Sequence, residues 1–124
     1  MIDFENAEYL KLRAVKMDAF DSMIRPLLVD GEEVIQCFQT VRDGVVFTSR
    51  RIFAINVQGL TGKKKDFTIL PYSRIQAFSI ETAGVLDMDS ELDLWFSGLG
   101  SVRFEFVSNA DMALICRTIS EQIL

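Results

Sequence analysis

The chain has 124 residues, with 13 Lys and Arg against 18 Asp and Glu, no histidine, and a net charge of −5. That length fits one domain with a core of useful size, and a composition 49% hydrophobic and 25% charged excludes intrinsic disorder. The acidic balance argues against a nucleic-acid surface, which needs a basic footprint to neutralise phosphates.

Cys37 and Cys116 are isolated among apolar residues. Without histidines or clustered thiols they suggest neither a zinc site nor a disulfide framework. They read as small buried hydrophobes in a reducing compartment. The start, Met1-Ile2-Asp3-Phe4-Glu5, is acidic where a signal peptide would be basic and then apolar. No stretch approaches the roughly 18–20 apolar residues of a membrane span, so the expected location is the cytoplasm. The mean hydropathy of +0.21 is high for a small soluble monomer and implies doubly covered elements or an apolar interface.

In chain order, the spacing of Leu10, Met17, Phe20, Ile24 and Leu27 predicts a helix from Asn6 to about Met23, ended by Pro26. Seven short β-rich runs follow, separated by turn residues. They cover about Glu33–Val41, Val45–Thr48, Arg51–Val57, Lys65–Leu70, Ser73–Glu81, Glu91–Ser97 and Ser101–Val107. Arg42-Asp43-Gly44 marks a tight hairpin, Gly59 and Gly62 a loop, and Gly98-Leu99-Gly100 another turn. In the last hairpin Leu92, Leu94 and Phe96 alternate with polar residues, as do Val102, Phe104 and Phe106, so one face belongs to the core. Simple register places Trp95 opposite Arg103 and Asp93 opposite Glu105. Ser108 or Asn109 is the expected cap of a final helix whose apolar stripe is Met112, Ile115, Cys116, Ile119 and Ile123. The elements describe a mainly β chain, a bent antiparallel sheet or partly open barrel with a helix at one end.

Several stretches resemble the bacterial pleckstrin-homology (PH) family. They are Val41-Arg42-Asp43-Gly44-Val45-Val46-Phe47-Thr48-Ser49-Arg50-Arg51, Val57 to Lys64, Ile69-Leu70-Pro71-Tyr72, Phe78 to Gly84, and Leu86 to Trp95. The resemblance implies a PH-like barrel of two near-orthogonal antiparallel sheets, seven strands capped by a C-terminal α-helix, plus an N-terminal helix. On this reading residues 1–29 are a helical extension and residues 30–124 the PH-like domain. The resemblance also implies a ring-like homo-oligomer, such as a pentamer. It fixes fold better than function.

Ile52-Phe53-Ala54-Ile55 is apolar on both faces, and Ile75 and Ala77 oppose Phe78 and Ile80. A strand with one wet face would alternate. Either the N-terminal helix covers the second face or another copy of the chain does. An outward Trp95 beside an unpaired acid favours the copy. Asp87, Asp89, Glu91, Asp93, Trp95 and Arg103 are therefore the candidate oligomer interface.

The four alternating carboxylates faintly resemble a calcium loop, but Leu92 stands where that loop needs glycine, so no metal is expected. Arg50, Arg51, Lys63, Lys64 and Lys65 form the candidate anion- or lipid-binding set. Gly59 and Gly62 are spaced too closely to the lysines for a nucleotide loop, and Arg42-Asp43-Gly44 is too short to cradle a headgroup. No nucleophile has a signature around it, so neither an enzyme nor a cofactor is expected. The leading expectation is a self-assembling interaction module that binds a protein partner. The alternative is peripheral attachment to anionic lipid.

Overall fold

The computed structural model of the chain describes residue 1, residues 11–107 and residues 110–124. The chain forms the strands β1 (Arg13–Val15), β2 (Val34–Thr40), β3 (Asp43–Thr48), β4 (Arg51–Gln58), β5 (Lys64–Pro71), β6 (Ile75–Glu81), β7 (Asp89–Phe96) and β8 (Gly100–Val107), of which β7 and β8 carry the period-two alternation of half-buried strands. They form two antiparallel sheets, ordered β1-β2-β3-β4-β5 and β6-β7-β8. The helix α1 (Asp21–Ile24) continues as a 3-10 turn over Arg25–Leu27, and α2 (Met112–Ile123) follows the second sheet. All seven strands expected from the sequence are present, as is the final helix. The cap of α2 is Asp111, whose carboxylate accepts from Leu114 N at 3.0 Å. Ser108 and Asn109 lie outside the described residues. Among the described residues no helix is long and apolar enough to cross a membrane.

The main core lies between the sheets. Phe38, Phe47, Ile52 and Ala54 of the first sheet meet Leu92, Leu94, Val102, Phe104 and Phe106 of the second, and Met112, Ile115 and Ile119 of α2 pack against them. The rings of Phe38 and Phe106 approach to 4.6 Å between centroids, and Phe47 meets Phe38 edge-on at 85°. Such pairs add about 0.5–1.5 kcal/mol each to the burial of the rings.

The N-terminal segment differs from the expected helix. Asn6 to Leu10 lie outside the described residues, while Arg13–Val15 is the strand β1, paired with Cys37 to Gln39. Leu12 is fully buried in the main core. Its N–H donates to Glu105 O and its carbonyl accepts from Val107 N, both at 2.9 Å. These bonds join β8 to the first sheet. The physical reason is that an extended segment here satisfies two otherwise bare sheet edges, whereas a helix would leave both open.

The second face of β4 is covered from within the chain. Phe53, Ile55 and Val57, with Val46 and Cys37, lie beneath Phe20 and Ile24, flanked by Met23 and Leu28. The strap formed by α1 and its flanking turns thus occupies the face for which a second copy was the favoured cover. On β6 a bulge between Ile75 and Ala77 resets the alternation. Phe78 and Ile80 pack against the core and Ala77 is exposed, so β6 is not apolar on both faces.

Candidate functional site

The three-stranded sheet turns Asp89, Glu91, Asp93 and Trp95 outward, as the alternation of β7 requires. Its pairing with β8 differs from simple register. Trp95 faces Ser101, Asp93 faces Arg103, and Glu91 faces Glu105. The reason is the turn: Ser97, Gly98 and Leu99 form the loop, and Gly100 closes the ladder opposite Phe96. Gly98 and Gly100 have φ of +83° and +95°, backbone that glycine adopts without a steric penalty.

This register changes the partners. Arg103 Nε donates to Asp93 Oδ1 at 2.8 Å, and another guanidinium nitrogen lies 3.8 Å from Glu91. Arg103 is therefore held by acids and does not stack on Trp95 as a cross-strand partner. The like-charge pair falls at Glu91 and Glu105. Desolvation pushes the Glu105 carboxyl above its usual range, reinforced by Asp89 and Glu91 and opposed by Lys11. Trp95 remains 50% exposed, its cross-strand neighbours being the small residues Ala77 and Ser101. Asp87 lies in the loop before β7, where its Oδ1 accepts from Asp89 N.

The basic set does not come together. Arg51 pairs with Pro71 at one end of β4, and Gln58 pairs with Lys64 at the other. At about 3.3 Å per residue, the two ends of this eight-residue strand are about 23 Å apart. Arg51 is also fully engaged. It donates to both Glu32 carboxylate oxygens at 2.8 and 2.9 Å and to Leu27 O at 2.7 Å, with its guanidinium 4.6 Å from the Phe53 ring centroid. It is a structural residue, not a free anion ligand.

Glu32 is the buried partner that sequence reasoning missed. Its carboxylate also accepts from Thr48 Oγ1 at 2.6 Å and Val29 N at 3.1 Å. Burial raises its pKa, but the hydrogen bonds from Arg51, Thr48 and Val29 outweigh that and hold it below the usual range. Tyr72 closes the network by donating to Thr48 O at 2.7 Å. Desolvation, together with the charge on Glu32, pushes the Tyr72 phenol far up. Cys37 is likewise inert: burial, then Asp18 and Asp21, push its thiol up to about 11.

The lysine end holds residues that the sequence did not single out. Arg42 donates to Gly59 O at 2.7 Å, tying the β2–β3 turn to the β4–β5 loop. Val41 in that turn is 96% exposed with φ of +45°, and Leu60 in the loop is fully exposed. Lys63 and Lys64 are exposed beside them, and Lys65 reaches back to Lys63 O at 3.5 Å. Lys11 and Arg13 line a cavity with Gln39, Thr40 and Val41 at the same end. Only the loop position of the apolar pair could have signalled it.

A family model for the bacterial PH domain matches residues 3–123. The uncharacterised protein YjqA of Bacillus subtilis (strain 168) is 44% identical over 93 residues, covering 75% of this chain and 70% of that protein. The crystal structure of a DUF1696 family protein with a pleckstrin-homology domain from Shewanella loihica PV-4 is similar at a TM-score of 0.76 and 35% identity, covering 93% of this chain and 99% of that one. A pleckstrin homology domain from Shewanella amazonensis SB2B is similar at 0.63 and 40% identity, covering 89% and 90%.

Proposed function

The chain belongs to the bacterial PH domain family, and from that premise we propose that it is a non-enzymatic interaction module that assembles with copies of itself and presents the assembled surface to a protein partner. The observation that carries this reading is Trp95, half-exposed in the middle of a sheet face between Ala77 and Ser101. A large aromatic ring among small neighbours is the kind of residue that anchors protein interfaces. The acids and Arg103 around it form a polar rim.

The sheet ends add a second support. β5 and β6 each terminate a sheet, so among the described residues each carries a row of backbone groups with no strand beside it. Two unlike edges suit a head-to-tail interface, which closes into a ring when the rotation permits. Light scattering after size exclusion tests the reading: a mass of several protomers at micromolar concentration supports it, and a monomer contradicts it.

A second reading, peripheral attachment to anionic lipid, is favoured by the lysine end. Val41 and Leu60 are both exposed there, in the turn and the loop that Arg42 ties together, and Lys63 and Lys64 of the same loop region are exposed as well. An apolar tip among cations suits a membrane surface, with each cation worth about 1 kcal/mol near anionic lipid. Arg50 and Arg51, at the far end of β4, take no part. Sedimentation with vesicles containing phosphatidylserine, at low and physiological salt, tests it; no salt-sensitive binding ends this reading.

A further inference from the structure

Adjacent arginines at the β3–β4 turn have opposite fates. Arg51 is neutralised by Glu32. The Arg50 side chain is exposed and makes no ion pair or hydrogen bond among the described residues, although its backbone N–H donates to Thr48 Oγ1. Arg50 borders an open cleft of about 390 Å³ where the first sheet, the corner between β5 and β6, and the end of α2 meet. Val29, Ile69 and Pro71 form its apolar wall, and Val29 and Ile69 are 52% and 41% exposed. Ser73 and Gln122 supply a hydroxyl and an amide, and neither side chain has a hydrogen-bond partner among the described residues. No acidic side chain is among the described residues lining the cleft.

An apolar wall with a few convergent polar groups is the usual make-up of a small-molecule site, for which volumes of about 300–1,000 Å³ are typical. Arg51 also lines the cleft, but its charge is met by Glu32, so the polar groups left for a ligand are the Arg50 guanidinium and two neutral donors. A guanidinium recognises a planar carboxylate through two parallel hydrogen bonds. A phosphate dianion would set two charges against one cation, whereas a carboxylate sets one. We infer that this cleft binds a carboxylate carried on a short apolar group, with Arg50 holding the carboxylate, Ser73 and Gln122 donating to it, and Val29 and Ile69 covering the apolar part. The site does not use the Trp95 face or the lysine end, so it stands or falls separately from the assembly.

The test is an amide-resolved NMR titration of the full chain with octanoate below its micellar range, octanamide, octyl phosphate and N-acetyl-leucyl-leucine. Octanoate is expected to shift the amides of Ile69, Ser73 and Gln122 and to bind at least tenfold more tightly than octanamide, because a hydrogen bond to a charged group is about twice as strong as a neutral one. Whether octanoate or the dipeptide binds more tightly tells a free aliphatic acid from a peptide carboxylate. Arg50→Gln is expected to weaken octanoate binding at least tenfold, Arg50→Lys to restore part of it, and Ser73→Ala to weaken it less. The Arg50 variants should keep the wild-type unfolding midpoint. Equal binding of octanamide, tighter binding of octyl phosphate, or undiminished binding to Arg50→Gln overturns the inference.

Discussion

The Phe20 ring stands in the space that a side chain on residue 44 would fill: a Cβ on Gly44 would fall inside van der Waals contact of Cζ, Cε1 and Cε2. Gly44 is therefore needed for its missing side chain, not for a left-handed backbone. It seats the strap that covers Val46, Phe53 and Ile55.

Gly44→Ala is expected to displace the ring and destabilise the fold by about 1–3 kcal/mol, the usual range for overpacking. Phe20→Ala should cost about 3–5 kcal/mol. In the Phe20→Ala background the alanine at position 44 should be neutral or mildly stabilising. A double-mutant cycle by urea unfolding measures the coupling, and additive losses would show that the ring does not depend on the glycine.

Glu32 and Arg51 form a lock between the strap and β4, with the Glu32 side chain fully buried. Removing one partner of a buried pair strands the other, so Glu32→Gln should cost about 3 kcal/mol. Against burial, which raises it, its folded pKa is held below the ordinary carboxyl value of about 4.5 by the hydrogen bonds from Arg51, Thr48 and Val29. A depressed carboxylate binds fewer protons folded than unfolded, so its stabilisation is fully present above about pH 4.5 and is lost as the pH falls through the folded value. Unfolding free energy measured from pH 6 down to pH 3 should fall more steeply for the wild type than for Glu32→Gln.

Cys37 lies under the strap, its Sγ donating to Met17 O at 3.3 Å. With its pKa raised to about 11, it should react with a thiol reagent at pH 8 far more slowly than Cys116, which is half-buried on α2. Phe20→Ala should speed labelling of Cys37 and leave Cys116 unchanged. Equal rates for the two thiols in the wild type would contradict the strap's role as a cover.

The seven main strands and α2 were legible because each is a run of six or more residues, β-rich or amphipathic, set between turn or cap signals. β1 was not: it has only three residues, and its pairing with β2 and the bridge from Leu12 to Phe106 are long-range contacts that no local pattern encodes. The two-faced apolarity of β4 was legible, but not which segment covers it. Likewise the outward position of Trp95 followed from alternation, whereas its partner Ser101 depended on where Gly98 and Gly100 place the turn. The basic set looked like one cluster because Arg50 and Lys63 are close in sequence, yet β4 runs its full length between them.

Trp95 is the sole tryptophan, so its emission reports directly on the face proposed to carry assembly. Sedimentation velocity over a dilution series, read alongside that emission, tests the central claim for the wild type and Trp95→Glu. The wild type is expected to be multimeric, with emission that moves to the red as it dissociates, and the variant to be folded and of monomer mass. A wild type that is monomeric at micromolar concentration, or a Trp95→Glu variant that assembles as the wild type does, would contradict it.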